Sequence, residues 1–268
     1  MRTCGRLMRP SLGLILFVLA FTSPAATEDY PAIFGAKYTE AEEFLRQNPW
    51  ISDSLHLQPL QTRIALAVVF PEIIRFRVLE DKIQVRALKV LYVQYGRKYA
   101  NFSVGLFQMK PSFAEQIESD FNRLFTTDEK AAAGVSDFDA GESSLLRKER
   151  VFRLDNLNGQ VRYLRLFMMV MERIYGNAVF SGERDKLRFY ATAYNSGYGR
   201  GEKAIRKTIG VRSFHVQLLF AATRYVYADV AESYFNRQAL PLERRPSGLW
   251  RELTIRPSIR APAAGEDS

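Results

Sequence analysis

The sequence contains very little cysteine or histidine. Its 268 residues include one cysteine, Cys4, and two histidines, His56 and His215. Zinc sites in proteins are built mainly from thiolate and imidazole ligands, so one chain of this composition cannot assemble the usual zinc site. We therefore expect metal-free chemistry, with no metal site and no cofactor.

Basic residues outnumber acidic ones. The chain has 38 Lys and Arg against 29 Asp and Glu, which gives a formal net charge of +9, and 47% of its residues are hydrophobic. A chain of this length and apolar content can bury a sizeable core, which excludes a disordered protein or a disulfide-stapled miniprotein. The positive excess suggests a polyanionic partner, such as nucleic acid, anionic lipid or an acidic cell-wall polymer.

Part of this charge lies in a predicted export signal. Arg2, Arg6 and Arg9 precede an apolar run from Leu12 to Phe21, and small residues follow it up to Ala26. We predict that residues 1–26 are a secretory signal peptide, because the run is shorter than the ~20 residues that cross a bilayer. Cleavage would remove three basic and no acidic residues, lowering the charge from +9 to +6, and would remove Cys4. An uncleaved N-terminal helix is the alternative.

The remaining chain is typical of a mainly α protein. Residues 27–55 are predicted to form an N-terminal helical segment, with a helix from Tyr38 to Gln47 that Asn48-Pro49 breaks. Leu60, Ile64 and Val68 recur at helical spacing, and Pro71 should kink that helix. Further helices are expected over 81–95, from Pro111 through Ile117, along 161–175, over 185–194 and from 214 to 235.

Two stretches lack a strong helical pattern. The segment 126–149 is rich in Asp, Glu, Ala, Gly and Ser, which favours an exposed loop insertion with at most one helical turn. A small β element would fit within 137–153. Residues 241–268 form a tail rich in Pro and Arg that we expect to be poorly ordered. In the predicted helix 81–95, Ile83, Leu88 and Leu91 are core candidates.

Glu72 is the best candidate for a catalytic group. It lies in the apolar run Val68-Val69-Phe70-Pro71-Glu72-Ile73-Ile74. A carboxylate among apolar neighbours has a raised pKa and can act as a general acid near neutral pH. The alternative from spacing alone is a surface glutamate between buried residues.

Three further segments resemble one known family. The run Ser103-Val104-Gly105-Leu106-Phe107-Gln108-Met109-Lys110-Pro111-Ser112-Phe113-Ala114 resembles the "S-x-G-L-M-Q-x-x-P-x-T-A" segment of the lysozyme-like soluble lytic transglycosylases. Leu154-Asp155-Asn156-Leu157-Asn158-Gly159-Gln160-Val161-Arg162-Tyr163-Leu164 is similar to the family's "N-x-x-x-G-x-x-Y-L", and Ala193-Tyr194-Asn195-Ser196-Gly197 to its "A-Y-N-A-G". Each string is short, but all three follow a carboxylate in the family's order.

The resemblance implies a lysozyme-like α-helical domain over 56–240, with an inserted helix and an exposed loop insertion. The family's catalytic glutamate closes a helix ahead of the first segment, where Glu72 falls. Ile73 stands where the family usually has Ser, and the 33 positions from Glu72 to Gly105 exceed the usual gap. Glu80 is the competing candidate. The long gap predicts that the helix over 81–95 is an insertion.

The resemblance also implies a reaction with one carboxylate. Glu72 would protonate the β-1,4 glycosidic oxygen between N-acetylmuramic acid and N-acetylglucosamine, then accept the proton of the muramic acid 6-hydroxyl, leaving a 1,6-anhydro product. Tyr194 would hydrogen-bond the acid or the sugar. The predicted substrate-binding residues are Ser103, Gly105, Gln108, Met109 and Asn195. The expected partner is the glycan strand of peptidoglycan in the bacterial periplasm, with possible peripheral association with the membrane or wall.

The sequence is compatible with two other functions. A lysozyme-type hydrolase would use water on the same fold and leave a reducing end. A non-catalytic relative would bind peptidoglycan without turnover, in line with Ile73 and the insertion. Binding to nucleic acid is disfavoured because an export signal removes the protein from DNA.

Overall fold

The computed structural model describes residues 28–76, 82–216 and 223–238. The predicted signal peptide, the tail after residue 241 and Glu80 lie outside these ranges. The described part is mainly α, as predicted from the sequence.

The described residues form twelve α-helices and one two-stranded antiparallel sheet. The helices are α1 (Tyr30–Phe34), α2 (Ala36–Gln47), α3 (Trp50–Leu55), α4 (Pro59–Phe76), α5 (Lys82–Tyr95), α6 (Pro111–Leu124), α7 (Thr127–Ala132), α8 (Ser144–Asp155), α9 (Leu157–Tyr175), α10 (Glu183–Ser196), α11 (Glu202–Thr208) and α12 (Tyr227–Gln238). The strands are β1 (Arg212–Phe214) and β2 (Tyr225–Val226), and a 3₁₀ turn spans Tyr198–Arg200.

Helix α4 is the centre of the molecule. Every residue from Ile64 to Ile74 is buried, so the helix is enclosed on all sides instead of presenting one apolar stripe. It packs against α2, α9, α10 and α12. Pro71 lies inside it, as the sequence predicts, and cannot donate to the carbonyl of Ala67. The side chains of α4 up to Ile74 are therefore held away from water.

The N-terminal helices belong to the same core as the rest of the described chain. Tyr38 of α2 is buried and shares a hydrogen bond with Ser233 of α12, at 3.0 Å between the two oxygens. Phe70 of α4 stacks on Tyr234 of α12 with ring centroids 3.9 Å apart. The buried side chains of α1, α2 and α3 therefore belong to the main core.

The segment 126–149 is more ordered than the sequence predicted. A capping box between Thr126 and Glu129 starts α7, and Ser143 caps α8. Val135 and Phe138 between these helices are buried. Most residues of the stretch are exposed, as expected, but the expectation of at most one helical turn was wrong, because α7 and the start of α8 lie in it and two apolar side chains anchor the residues between them. The region 137–153 contains α8 and no strand.

The predicted helix from 214 to 235 was also wrong in its first half. Phe214 lies in β1, which pairs with β2, and α12 begins only at Tyr227. Pairing of the two strands satisfies their backbone groups while Phe214 packs edge-on against Tyr227, with ring centroids 5.2 Å apart. Leu218 and Ala221 of the predicted stripe lie outside the described residues.

Helix α5 confirms the predicted helix over 81–95, but one of its core candidates is exposed. Leu91 is 40% exposed, whereas Tyr92, the next residue, is fully buried. Leu88 is half-buried, and the side chain of Ile83 lies outside the described residues. In the described ranges, none of the helices has both the length and the apolar character needed to cross a membrane.

Candidate functional site

Glu72 is a buried carboxylate in the last turn and a half of α4. It is 5% exposed, and the next turn of the helix supplies its ion-pair partner, Arg75. The Nη1 atom of Arg75 donates to Oε2 at 3.1 Å and to Oε1 at 3.4 Å. The i, i+3 spacing of Glu72 and Arg75 on a predicted helix is a signal that could have identified this pair from the sequence.

Opposing effects act on the acidity of Glu72. Burial raises the pKa of its carboxyl, while the charge and hydrogen bonds of Arg75 and the charge of Lys110 lower it, and the net pKa lies above the ordinary value. Burial raises the pKa of Tyr194 and Tyr227 as well, and the charge of Glu72 raises both further. Glu72 is therefore close enough to both phenols to influence them.

The first motif segment forms a tight turn. Val104 and Met109 exchange two backbone hydrogen bonds, of 2.9 and 3.1 Å. Between them Gly105 has a φ of +69° and Gln108 a φ of +49°. The side-chain amide of Gln108 donates to the carbonyl of Gly105 at 2.7 Å. These bonds make residues 104–109 a closed unit, which we call the hairpin turn.

The three motif segments meet at the backbone of Phe107 in this hairpin turn. Its N–H donates to Oε1 of Gln160, in the second segment, at 2.8 Å. Its carbonyl accepts from the hydroxyl of Tyr194, in the third segment, at 2.8 Å. Gln160 also donates to the carbonyl of Leu154 at 2.9 Å. One buried peptide position therefore joins the hairpin turn, α9 and α10. Lys110 directly follows the hairpin turn in the chain.

Tyr194 has a different bond from the one we predicted. Its hydroxyl donates to Phe107 and not to Glu72, and its ring packs edge-on against Phe113 and Phe167 with centroids 5.1 and 5.4 Å apart. One hydrogen bond and two aromatic contacts therefore hold the side chain of Tyr194 in place. Tyr194 is thus a positioning residue that fixes the end of α10 against the hairpin turn, beside Glu72.

The predicted substrate-binding residues divide into three groups. Met109 is buried in the core, so its assignment to substrate binding was wrong. Ser103, Gly105 and Gln108 are half-buried in or beside the hairpin turn, where Gly105 and Gln108 serve the turn's own geometry. Asn195 is exposed at the end of α10, where the helix stops at Gly197 with a φ of +98°.

Three residues of the site were missed by the sequence analysis. Tyr227 donates to the carbonyl of Val68, one turn before Glu72, at 2.8 Å, and no local pattern in the sequence indicates this contact. Gln160 lies inside the second motif segment, directly after Gly159. Lys110 lies inside the first segment, directly after the hairpin turn. In the described ranges, no group of three or more His, Cys, Asp or Glu side chains is arranged to hold a metal ion.

The site defines a class of protein before any relative is considered. It is a helical protein in which a buried, partly neutralised carboxylate, Glu72, lies near a rigid hairpin turn. No protein-family model, no curated protein and no solved structure matches the chain.

Gly105 is expected to be essential to the hairpin turn. A Cβ at this position would lie 1.8 Å from Nε2 of Gln160, whose own hydrogen bonds keep it in place. We expect Gly105→Ala to lower the free energy of unfolding by about 2–4 kcal/mol, from the left-handed backbone and the broken Gln160 bonds together. Urea denaturation measures this.

Gly134 provides the matched control. Its φ is +63°, close to that of Gly105, but no atom lies within 4 Å of an added Cβ. Gly134→Ala should therefore cost at most about 2 kcal/mol, from the backbone alone. Equal losses of stability in the two variants would contradict the conclusion that Gln160 holds the hairpin turn in place.

Glu72→Gln is expected to stabilise the fold at neutral pH. The carboxyl pKa is raised in the folded state, so its protonated form is favoured there, and the stability that this form provides is lost as pH rises from the ordinary value of 4.5 through the folded pKa. Glutamine imitates the neutral form at every pH. The difference in melting temperature between variant and wild type should thus grow over that window and then level off.

The control for this measurement is Glu142→Gln, because Glu142 is an exposed glutamate preceding α8. Its effect on melting temperature should stay small at every pH. A Glu72→Gln variant that is less stable than wild type at pH 8 would show that the ion pair with Arg75 outweighs burial.

Proposed function

We propose that this protein is an exported peptidoglycan lytic transglycosylase, in which Glu72 acts first as acid and then as base. The observation that carries the proposal is the meeting of the three motif segments at Phe107, beside a buried carboxylate. The resemblance rested on three short strings at wide separation in the sequence. Their contact in space supports reading them as parts of one site.

The environment of Glu72 suits both steps of this reaction. Burial favours the protonated carboxyl that must donate to the glycosidic oxygen. Arg75 and Lys110 stabilise the carboxylate left behind, which then takes the proton of the muramic acid 6-hydroxyl. That hydroxyl attacks the anomeric carbon as the glycosidic bond breaks, so the sugar supplies its own nucleophile. The product is a 1,6-anhydromuramic end.

The charges around Glu72 favour this route over a two-carboxylate hydrolase. Retaining and inverting glycosidases place a second Asp or Glu across the scissile bond. The described side chains that act electrostatically on Glu72 are the cations Arg75 and Lys110. Glu80 and Asp81 lie outside the described residues. A peptidoglycan-binding protein without turnover is the second candidate, favoured by the pairing of Glu72 with Arg75.

Product analysis tests the proposal. Purified peptidoglycan is digested with the protein, and the soluble fragments are analysed by mass spectrometry. We expect 1,6-anhydromuropeptides, which are lighter by one water than the products of hydrolysis. Reducing-end products would instead identify a hydrolase, and binding to sedimented peptidoglycan without any soluble product would identify the non-catalytic protein.

A further inference from the structure

Helices α5 and α8 form a pair on the surface of the protein, away from the residues that meet at Phe107. Helix α5 packs mainly against α8. On the inner side of the pair, Nη1 of the buried Arg150 donates to the hydroxyl of the buried Tyr92 at 2.6 Å. At one end of the pair, Nε of Arg147 donates to the carbonyl of Val93 at 2.8 Å. The two helices are therefore held together as one unit.

The outer side of this pair is apolar. Val90 and Phe152 each lie two positions from a residue of the inner contact, Tyr92 and Arg150, and two positions turn an α-helix by about 200°. Both side chains therefore point away from the core, on the same side of the pair. Six large apolar side chains on or beside this side have exposed fractions from 40% to 71%, and we call them the α5–α8 face: Val90, Leu91, Tyr95, Tyr99, Leu145 and Phe152.

Unpaired cations adjoin the α5–α8 face. Arg86 lies one turn before Val90, and Lys148 lies one turn before Phe152, so each cation is a surface neighbour of an exposed apolar side chain. Lys98 is exposed in the segment that follows α5. None of these three cations forms an ion pair with a residue in the described ranges.

Acidic residues do not balance these charges. From residue 82 to residue 110 the sequence contains six Lys or Arg and no Asp or Glu. The two acids of α8, Glu149 and Asp155, are both in ion pairs with basic residues. Glu142, which precedes α8, is exposed and has no ion-pair partner in the described part of the chain. The surroundings of the α5–α8 face therefore carry an excess of positive charge.

This combination suits the surface of an anionic lipid bilayer. Apolar side chains that project from a helix can enter the boundary of the acyl chains, while Lys and Arg beside them meet the phosphate groups. Tyr95 and Tyr99, whose ring centroids are 5.4 Å apart, have the amphipathic rings that are enriched where a membrane meets water. A second copy of the same face would bring unpaired cations together, which disfavours a symmetric dimer at this surface.

We propose that the α5–α8 face docks the protein on an anionic lipid bilayer. The inference goes beyond the proposed function and does not depend on it, because none of the six side chains belongs to the candidate site around Glu72. Docking through this face would hold the protein at a membrane surface while the candidate site lies elsewhere on the molecule.

Binding of the full chain to lipid vesicles tests the charged part of the proposal. The protein is sedimented with vesicles of equal parts phosphatidylglycerol and phosphatidylcholine, and with vesicles of phosphatidylcholine alone. We expect binding to the mixed vesicles that weakens as salt is added. The triple variant Arg86→Gln, Lys98→Gln, Lys148→Gln should bind them about a hundredfold more weakly, because each basic side chain near an anionic surface contributes about a fivefold factor.

The matched control removes the same number of exposed cations from the 3₁₀ turn and α11, through Arg200→Gln, Lys203→Gln and Lys207→Gln. It should weaken vesicle binding far less than the first triple variant. Phe152→Ser tests the apolar part and should weaken binding about tenfold, since a phenylalanine side chain loses its burial in the bilayer. Its control is Val179→Ser, at a valine that is exposed outside the α5–α8 face, which should leave binding unchanged.

A fluorescent label shows which surface meets the bilayer. Cys4 is the one cysteine of the sequence, so in a Cys4→Ser background a single label can be attached through Val90→Cys or, as the control, through Val179→Cys. We expect an environment-sensitive nitrobenzoxadiazole label at position 90 to shift its emission to shorter wavelength when mixed vesicles are added, and the label at position 179 to stay unchanged. This signal does not arise from membrane binding by the predicted signal peptide.

Three results would overturn the proposal: equal binding to the two kinds of vesicle, equal losses in the two triple variants, or no spectral shift at position 90. Self-association in analytical ultracentrifugation that Phe152→Ser abolishes, without binding to vesicles, would assign the α5–α8 face to a second copy of the chain instead. The vesicles contain no peptidoglycan, so these outcomes are independent of the product analysis that tests the proposed function.

Discussion

Glu72→Gln should reduce the release of 1,6-anhydromuropeptides by roughly 10²–10⁴-fold, the usual contribution of a general acid. Glutamine has nearly the same shape as glutamate and can still accept a hydrogen bond from Arg75, so the site should keep its geometry. It can neither give a proton to the glycosidic oxygen nor take one from the 6-hydroxyl. The loss should therefore appear in kcat, with peptidoglycan binding retained.

The matched control is Glu142→Gln, which makes the same substitution at an exposed glutamate. It should leave the rate unchanged. Product release and wall binding are measured on the same preparations, after circular dichroism has shown that each variant is folded. Wild-type turnover in Glu72→Gln would remove this residue from the mechanism.

The wild-type rate should also depend on pH in a defined direction. The acid step needs the protonated carboxyl, so kcat/KM should fall as pH rises through the raised pKa of Glu72. Arg75→Met should move this descending limb to higher pH, because it removes the charge and the hydrogen bonds that most strongly lower that pKa. A limb that stays in place would contradict the role of Arg75 in setting the acidity of Glu72.

The largest loss of stability is expected at a buried ion pair remote from Glu72. Glu118 of α6 and Arg150 of α8 are each 1% exposed, and Arg150 Nε donates to Glu118 at 2.9 Å. The hydroxyl of Tyr163 donates to the same carboxylate, while Arg150 donates to the hydroxyl of Tyr92 at 2.6 Å. The network joins α5, α6, α8 and α9.

Removing one partner of this pair should destabilise the protein by about 3–5 kcal/mol, because the other charge stays buried with only a longer ion pair, Arg150 with Glu115 at 3.5 Å or Glu118 with Arg153 at 3.8 Å. Glu118→Ala and Arg150→Met are therefore both expected to show this loss in urea denaturation. The double variant Glu118→Leu with Arg150→Met should lose less than the sum of the single losses, since it leaves no buried charge.

The control is the surface pair Glu202 and Arg206, whose side chains are 44% and 32% exposed. Glu202→Ala should cost no more than about 1 kcal/mol, the upper range for exposed pairs. Additive losses in the Glu118 and Arg150 variants would show that the two charges do not stabilise each other.

The same network explains why part of the fold escaped prediction. Arg150 and Glu118 each look like solvated charges in the sequence, and nothing local indicates that two helices bury them together. Gly141 lies in the segment predicted to be an exposed loop, yet its carbonyl accepts from Arg150 at 3.1 Å. The order of the 126–149 segment therefore depends on contacts with residues far away in the chain.

In the candidate site, too, some features could be predicted from local sequence patterns and others could not. The apolar run around Glu72 is a local pattern, and it was enough to predict a buried carboxylate on a Pro-containing helix. The role of Tyr194 could not be predicted from a local pattern, because its hydroxyl could reach several acceptors. The position of Phe107 decides which acceptor it meets. Met109 occupies a motif position, but the hairpin turn directs its side chain into the core.

Sequence alone was enough to predict the mainly α class and the course of α4, and it favoured the burial of Glu72, because helical periodicity and apolar runs are local properties. The sequence did not show which polar groups meet in the folded protein: Gln160 and Tyr194 bond to Phe107, and Arg150 bonds to Glu118. The reason is physical. A buried hydrogen bond depends on the positions of donor and acceptor to within a few tenths of an ångström, and those positions are set by the packing of helices that lie far apart in the chain.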